Sequence, residues 1–282
     1  MKVVSLFDGI SCLRQALGEI EVEYHAFEID EYAVNISKKN FPDIIHHSDV
    51  RELKEPILNV DLLCGGSPCQ DLSIARKDRK GLDGERSGLF WEYVRILRLL
   101  KPKYFILENV ASMTKENKDT ITRELGVEPI MINAALVSAQ NRKRFFWTNI
   151  SNVKQPEDRK IYLKDVLENV VDKSYILTKT LKTEHKSKDK PIQVGHVGKT
   201  NSQYNRVYSY EGKSPCLCTS IQYYQTETNI RKLTPVECER LQSLPDNYTE
   251  GIPKTQRYKC LGNGFNVEVI KHILSNLHLR EE

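Results

Sequence analysis

The sequence contains no apolar run of membrane-spanning length and no CxxC pair among its seven cysteines. A membrane anchor is therefore not expected, and Asp8 interrupts the N-terminal apolar stretch, which argues against a secretory signal. An odd number of cysteines without paired spacing predicts reduced thiols in the cytoplasm. Neither sign of charge dominates, because the sequence has 42 Lys and Arg residues and 38 Asp and Glu residues, which gives a net charge of +4. This balance permits a polyanionic partner without requiring one.

The first loop lacks the three glycines of a dinucleotide-binding fingerprint. Residues 3–7 form an apolar run typical of a buried strand, Gly9 supplies a turn, and a helix is predicted over 12–17. One glycine in place of three argues against a pyrophosphate ligand, and therefore against a dinucleotide-dependent oxidoreductase. An adenosyl ligand without phosphates remains compatible with this loop.

Three acidic residues follow short apolar or histidine-rich segments near the N-terminus. Asp8 follows the first predicted strand, Glu28 ends the second strand 19 residues after Gly9, and Asp49 follows His46-His47-Ser48. Glu28 has the position and residue type that bind ribose hydroxyls, and Asp49 is placed to accept from an adenine amino group. Each acid alone could be a solvated loop carboxylate, but three at successive strand ends favour a ligand site.

Residues 65–70 read Gly-Gly-Ser-Pro-Cys-Gln and follow an apolar run, 60–64, that is typical of a buried parallel strand. Two glycines and a proline predict a sharp turn with Cys69 at its tip, at the sheet edge where open α/β folds place their chemistry. Another strand, 104–107, ends in Glu108 at the same edge, and a carboxyl beside a thiol suits an acid or base next to a nucleophile. The alternative for Cys69 is burial as a small apolar group, which is the role we expect for Cys64.

Residues 74–88 are rich in Arg, Lys and Gly. This composition predicts either a mobile lid over an anionic substrate or an ordinary solvated loop. A helix is predicted over 89–100.

Further on, Arg142 and Arg144 open a predicted strand through residues 145–147, and alternation along that strand predicts that both guanidinium groups lie on one face.

Together these motifs resemble those of the DNA (cytosine-5) methyltransferase family, in the family's order and over nearly the whole chain. The matching segments are Phe7-Asp8-Gly9, the strand end at Glu28, Ser48-Asp49-Val50, residues 66–70, Glu108-Asn109-Val110, Gln140 with Arg142 and Arg144, residues 233–242, and Gly262-Asn263-Gly264. Residues 65–69, 71–73 and 79–82 also resemble the eukaryotic de novo class, whereas 233–237 and 262–264 resemble phage or bacterial members. The first loop departs from the family pattern, because Ile10-Ser11-Cys12 stand where further small residues are usual.

The resemblance implies an α/β fold of the Rossmann-like, S-adenosylmethionine-dependent methyltransferase class, with a mostly parallel sheet and helices on both faces. It implies that residues 1–150 together with 256–282 form the catalytic domain and that 151–255 form a small inserted target-recognition domain. That segment interleaves tyrosines with basic residues, which is compatible with DNA contact. Its Cys216-x-Cys218 pair, with His185 and His196, fits no standard zinc spacing, so no metal is predicted.

The resemblance also implies roles for individual residues. The implied catalytic residues are Cys69, Glu108, Arg142 and Arg144. The implied cofactor-binding residues are Phe7, Asp8, Gly9, Ile10, Glu28, Ile29, Asp49, Val50, Gly65, Asn263 and Val267. The implied DNA-binding residues are Ser67, Gln70, Ser73, Arg76, Lys77, Arg79, Lys80 and Arg206.

The implied reaction transfers a methyl group from S-adenosylmethionine to C5 of a cytosine flipped out of a specific double-stranded DNA sequence. Cys69 would attack C6, Glu108 would hydrogen-bond N3 and the exocyclic amine, and Arg144 would hold O2. To donate to N3, Glu108 must be protonated. Burial would favour the protonated form and pairing with Arg142 would oppose it.

The implied partners are double-stranded DNA and a cognate restriction endonuclease, in a cytoplasmic, nucleoid-associated protein of bacterial or phage origin. Two alternatives share the scaffold: a transfer-RNA cytosine-5 methyltransferase, and a catalytically inactive DNA-binding paralogue. The motif text at 66–70 and 79–82 favours the DNA branch. Intact Cys69, Glu108 and Arg144 argue against the inactive paralogue.

Overall fold

The computed structural model of the protein describes residues 1–68, 88–177, 191–197, 202, 205–218, 223–227 and 229–277. The chain divides into two compact units. Unit 1 comprises Met1–Ile132, Lys143–Gln155 and Ile270–Glu282, and unit 2 comprises Asn133–Arg142 and Pro156–Val269. Residues 256–269, which we expected in the catalytic domain, thus belong to unit 2, and the functional division of the chain stays a prediction. Within the described ranges, no helix combines the length and the apolar character that crossing a membrane requires.

Unit 1 is built on a seven-stranded, mostly parallel sheet with the order β3-β2-β1-β4-β5-β7-β6. Its strands are β1 Lys2–Leu6, β2 Glu23–Phe27, β3 Ile45–His47, β4 Leu62–Gly65, β5 Tyr104–Val110, β6 Ile130–Asn133 (whose last residue falls in unit 2) and β7 Lys143–Thr148. Its helices are α1 Cys12–Leu17, α2 Glu31–Asn40, α3 Leu89–Leu100 and α4 Lys115–Leu125. The pairs among β1 to β5 are parallel, and β7 runs antiparallel to β5. The predicted α/β fold class is confirmed.

The strand order reverses direction between β1 and β4, because β2 and β3 extend the sheet to one side and β5 extends it to the other. In open α/β sheets such a switch point opens a crevice at the carboxyl ends of the strands, where ligands bind. The register aligns Leu6 with Gly65 and Gly65 with Leu107. The residues that follow these three positions therefore meet at one edge of the sheet.

One face of this sheet is covered by α3. Val4, Leu6 and Leu63, at alternating positions of β1 and β4, share a buried core with Phe90 and Tyr93 of α3. Successive side chains of a strand point to opposite faces of the sheet, which explains why only these alternate residues face α3. The helix predicted over 89–100 is observed with those bounds, and Lys101 ends it in a left-handed conformation just before a proline.

Unit 2 contains a five-stranded sheet with the order β8-β12-β11-β10-β9. Its strands are β8 Ile176–Leu177, β9 Gln193–His196, β10 Arg206–Ser209, β11 Tyr223–Gln225 and β12 Ile230–Lys232, and the helices that follow are α5 Pro235–Leu241, α6 Lys254–Asn263 and α7 Val267–Leu274, which ends in unit 1. Strands β10 and β11 are parallel, and the other pairs are antiparallel.

Helix α5 begins at a capping box. The Thr234 hydroxyl accepts from the Glu237 amide at 3.1 Å, and the Glu237 carboxylate accepts from the Thr234 amide at 2.8 Å. Together with Pro235 at the first helical position, this arrangement explains why the helix begins there. Glu237 also forms a buried, bidentate ion pair with Arg231, at 2.6 and 2.8 Å. The motif at 233–237 thus has a structural role within unit 2.

Candidate active site

A carboxylate and a guanidinium group lie together at the carboxyl edge of the unit 1 sheet. Register pairs Glu108 with Phe146 and Val110 with Arg144, so Glu108 and Arg144 are diagonal neighbours on one face of β5 and β7. Arg144 Nε lies 2.7 Å from Glu108 Oε1, and the two side chains are 15% and 11% exposed. The pair is therefore nearly withdrawn from water, and each charge stabilises the other in place.

Asn109 connects this carboxylate to the turn that follows β4. Its side-chain amide donates to the carbonyl and hydroxyl oxygens of Ser67, at 3.3 and 3.2 Å, and its amide oxygen accepts from the Val110 backbone at 2.8 Å. Ser67 is buried, and its hydroxyl is used in this contact. The DNA contact predicted for Ser67 stays a prediction.

The residues that follow this turn lie outside the described part of the chain. They include the expected nucleophile and most of the expected DNA contacts: Cys69, Gln70, Ser73, Arg76, Lys77, Arg79 and Lys80. Their roles remain predictions, as does the lid expected over 74–88.

The other cysteine of this region is a core residue, as expected from the sequence. Cys64 is fully buried on β4, and burial together with the negative charges of Asp8 and Glu108 raises the pKa of its thiol far above the usual range. A thiol that cannot ionise is neither a nucleophile nor a metal ligand. Gly65 follows it, and a side chain there would meet the Leu6 carbonyl oxygen and the Tyr93 ring, each at 3.1 Å. A side chain at position 65 would therefore require Tyr93 or the end of β1 to shift by a few tenths of an ångström.

Arg142 does not share a strand face with Arg144, although strand alternation predicted that it would. Strand β7 begins at Lys143, and the Arg142 guanidinium donates to the carbonyl oxygens of Gly262 and Gly264, at 3.2 and 2.9 Å. The backbone of Arg142 instead bonds with Asn133 and Ala134, so the alternation does not reach it. The guanidinium group that pairs with Glu108 is that of Arg144 and not that of Arg142, and the catalytic role implied for Arg142 stays a prediction.

The loop between β1 and α1 has an unusual backbone. Phe7, Gly9 and Ser11 all adopt left-handed conformations, with φ of 56°, 61° and 60°. For Gly9 this conformation is free of strain, whereas for a bulky residue such as Phe7 it is unfavourable and requires support from its surroundings. Strain concentrated in one turn beside the switch point is typical of a ligand-binding loop.

Glu28 supports this loop from the end of β2. Its carboxylate accepts three backbone hydrogen bonds of 2.8 Å, one from Gly9 and two from the amides of Ile29 and Asp30. Beside this fixed carboxylate the apolar side chain of Ile29 is 69% exposed. A fixed acceptor next to exposed apolar surface fits an adenosyl group, which offers ribose hydroxyls to the first and a purine face to the second.

Asp8 and Asp49 differ in their surroundings. Asp8 is 6% exposed and accepts from the Tyr24 hydroxyl at 2.6 Å and the Ser11 hydroxyl at 2.5 Å. Burial raises the pKa of Asp8 to about 6, although these hydrogen bonds lower it. Asp49 is paired with Arg51 at 2.5 Å, and that contact lowers the pKa of Asp49. Its carboxylate oxygens thus already have a partner, and the adenine contact remains a prediction.

Four other expected site residues have these positions. Ile10 and Val50 are buried in unit 1. Asn263 ends α6, and Val267 begins α7 with its backbone amide donating to the Gln242 carbonyl at 3.0 Å, both in unit 2. The cofactor contacts expected of all four stay predictions.

Arg206, the expected DNA-binding residue on β10, lies opposite His196 of β9. Its Nε is buried without a hydrogen-bond partner in the described part of the chain. In the same part of the chain, no group of three or more His, Cys, Asp or Glu side chains is arranged to hold a metal ion.

This strand order, with an acid after β1 and β2 and a glycine turn after β4, is consistent with the Rossmann-like fold of S-adenosylmethionine-dependent methyltransferases. The chain matches the family model of C-5 cytosine-specific DNA methylase over residues 1–278 and belongs to that family. The enzyme therefore takes its methyl group from S-adenosylmethionine and transfers it to cytosine in DNA, through the covalent intermediate that is general to the family.

Individual relatives agree with this assignment. The type II methyltransferase M1.ScrFI of Lactococcus lactis subsp. cremoris is 31% identical over an alignment of 308 positions, which covers 98% of this chain and 77% of the relative. The type II methyltransferase M.HhaI of Haemophilus parahaemolyticus is 27% identical over 98% of this chain and 94% of its own. The solved structure of the Entamoeba histolytica methyltransferase EhMeth shares the fold, with a TM-score of 0.74, 19% identity and coverage of 98% and 97%.

Proposed function

We propose that this enzyme methylates cytosine within one specific double-stranded DNA sequence, with Cys69 as its nucleophile and Glu108 and Arg144 as the groups that hold the base. The observation that carries the assignment is the Glu108–Arg144 pair at the sheet edge, joined through Asn109 to the turn at Ser67. Cys69 follows that turn by two residues in the sequence. No other described pair of charged side chains lies at the carboxyl edge between β5 and β7.

The reaction needs groups that make an unreactive ring reactive. The Cys69 thiolate forms a bond to C6 of the flipped base, and the electron pair displaced from the C5–C6 double bond makes C5 nucleophilic. In its protonated form Glu108 donates to N3 and accepts from the exocyclic amine, and Arg144 donates to O2, so both stabilise the charge that develops on the ring. S-adenosylmethionine supplies an electrophilic methyl group when bound. Loss of the C5 proton to a base then expels the Cys69 thiolate and restores the ring.

The cofactor is held by the loop after β1 and the end of β2. We assign the ribose hydroxyls to Glu28, the purine face to Ile29, and the methionine end to the loop at Asp8 and Gly9. The geometry supports this assignment, since the carboxylate of Glu28 is fixed by three amides and its apolar neighbour is open to solvent.

DNA recognition is assigned to residues 151–255, most of which belong to unit 2, with Arg206 as a contact. The names of the type II relatives support a restriction–modification setting with a cognate endonuclease. Methylation-sensitive sequencing of a host genome that expresses the chain tests this setting, because it reports the target sequence directly. Methylation scattered over unrelated sequences would contradict the proposal of a specific site.

The covalent step is tested with duplex DNA that carries 5-fluorocytosine at the confirmed target. Fluorine cannot leave C5 as a proton, so the enzyme should stall after methyl transfer while still bonded to DNA through Cys69. We expect a complex that survives denaturing electrophoresis and requires both duplex and S-adenosylmethionine. Cys69→Ala should abolish it, and Cys64→Ala, which alters a buried packing thiol, should not.

Other outcomes favour the alternatives. Trapping on transfer RNA and not on duplex DNA would favour the transfer-RNA enzyme. Tight DNA binding without any adduct would favour the inactive paralogue.

A further inference from the structure

A row of four side chains connects the buried carboxyl of Asp8 to a histidine on β3. The Ser11 hydroxyl donates to Asp8 Oδ2 at 2.5 Å and lies 2.6 Å from the Ser37 hydroxyl oxygen. The Ser37 oxygen is in turn 3.4 Å from Nε2 of His46. Both serines are buried, and His46 is half-buried. We name these four residues the Asp8–His46 relay.

The direction of hydrogen bonding along the relay follows from the number of available protons. Ser11 donates its single hydroxyl proton to Asp8, so Ser37 has to donate to Ser11. Ser37 then accepts, and His46 Nε2 must carry the hydrogen. When Asp8 is protonated on Oδ2, all three bonds reverse, and His46 Nε2 becomes an acceptor. The relay therefore keeps its hydrogen bonds in both charge states of Asp8, and the tautomer of His46 reports which state is present.

Asp8 follows β1 at the cofactor edge of the sheet, and the cofactor changes charge during the reaction. S-adenosylmethionine carries a sulfonium cation, whereas the product S-adenosylhomocysteine carries a neutral thioether. We propose that Asp8 distinguishes the two by charge: near pH 6 and below, it gives up its proton to solvent when the cationic cofactor binds and takes one up again when the neutral product replaces it. This inference rests on the proposed cofactor site.

The surroundings of Asp8 make it the group that changes charge. The titratable groups that face it are Tyr24 on β2, Cys64 on β4, Glu28 after β2, and His46 on β3 through the relay. Burial raises the pKa of Tyr24 and of Cys64 far above neutrality, so neither ionises near pH 6. Burial also raises the pKa of Asp8 to about 6. A nearby cation lowers such a pKa by about one unit or more.

Calorimetry at pH 5.5 and pH 8, in buffers of different ionisation enthalpy, measures the protons released on binding of each ligand. With a pKa lowered from about 6 to about 5, S-adenosylmethionine should release ~0.5 proton more than S-adenosylhomocysteine at pH 5.5. The affinity ratio of the two ligands should rise about threefold from pH 5.5 to pH 8. The amino and carboxyl groups of the ligands cancel in this comparison, because both ligands have them.

Two variants complete the test. Asp8→Asn should remove the difference in proton release and make the affinity ratio independent of pH. In wild type the His46 side-chain nitrogen shifts should follow the titration of Asp8, and Ser37→Ala should uncouple them. Equal proton release for both ligands in wild type, or a difference that persists in Asp8→Asn, would overturn the inference while the cofactor site stands. If neither ligand binds at pH 8, the cofactor site fails and the inference with it.

Discussion

Glu108 and Arg144 are charged side chains that are almost removed from water, and neither could stay there without the other. Their pairing is local, since both face the same side of two adjacent antiparallel strands. Arg142, two residues earlier, has neutral carbonyl partners instead. The two arginines of one short motif therefore act on different parts of the chain.

Substitution of Glu108 separates catalysis from binding. Glu108→Gln keeps the size of the side chain and loses the carboxyl that acts in the transition state. The rate of trapping on 5-fluorocytosine duplex should fall by roughly a hundredfold or more, whereas DNA affinity measured by fluorescence anisotropy should change much less. A proportional loss of affinity and rate would show that Glu108 acts only in binding.

Tyr93 and Tyr24 form a matched pair of buried tyrosines in unit 1. The Tyr93 hydroxyl is buried without a hydrogen-bond partner in the described chain, whereas the Tyr24 hydroxyl donates to Asp8. Tyr93→Phe should leave the free energy of unfolding unchanged or raise it by up to about 1 kcal/mol, since an unsatisfied group is removed. Tyr24→Phe should lower it by roughly 1.5–3 kcal/mol, because a hydrogen bond to a carboxylate is lost.

Urea unfolding of both variants at pH 7.5 checks this prediction. A large loss of stability in Tyr93→Phe would show that its hydroxyl forms a hydrogen bond in the folded protein.

The positions of individual side chains could be predicted from the sequence where a motif lies at the end of a strand. Glu108 follows a plain apolar run, so its position at the sheet edge could be inferred. The partner of Glu108 could not, because the start of β7 decides which arginine faces it, and a strand start is not marked by any residue at Asn141 or Arg142. The Tyr24 contact also went unpredicted, because it depends on the spacing between two strands.

Among the secondary-structure elements, α5 is a clear example of a helix whose start is fixed by residues close together in the sequence. Its capping box can be read from Thr234 and Glu237 in the sequence, three residues apart. The buried ion pair between Glu237 and Arg231 cannot be read in this way, because it depends on how the chain turns between β12 and α5. Sequence patterns thus predict where an element begins more readily than what its side chains contact.

The Arg231–Glu237 pair should be essential for the stability of unit 2. Arg231→Met leaves the Glu237 carboxylate, which is fully buried, without its counter-ion. The free energy of unfolding should fall by roughly 3–5 kcal/mol. Lys232→Met, on the exposed side of the same strand, should change it by less than about 1 kcal/mol. Similar losses in both variants would indicate that strand β12, and not the ion pair, is sensitive to substitution.

At the scale of the whole molecule, the order of the strands brings distant segments of sequence to one edge. Strand β4 pairs with β1 and β5, so residues after 6, 65 and 107 meet although they are far apart in the chain. This adjacency was implied by the family resemblance, and its physical basis is the switch point. The membership of residues 256–269 in unit 2 was not predictable, since it depends on hydrogen bonds such as that from Gln242 Nε2 to the Gly264 carbonyl, at 3.2 Å.

The buried carboxyl of Asp8 should make the stability of the whole protein depend on pH. Its pKa in the folded protein is about 6, above the 3.8 of the unfolded chain. The folded state therefore binds the proton more tightly, and its stabilisation is complete below about pH 3.8 and is lost as the pH rises through about 6. The Asp8→Asn variant has no titrating proton at this position, so it lacks this pH dependence.

The difference in free energy of unfolding between Asp8→Asn and wild type should therefore shift in favour of the variant as the pH rises from 3.5 to 7.5, by up to about 3 kcal/mol. Urea unfolding of both proteins across this range measures it, and subtraction removes the titration of the groups that they share. The shift should be centred between pH 4 and 6, and bound S-adenosylmethionine should reduce it, because the cation stabilises the ionised carboxyl. A difference that stays constant with pH would show that Asp8 has the same affinity for its proton in the folded and unfolded chain.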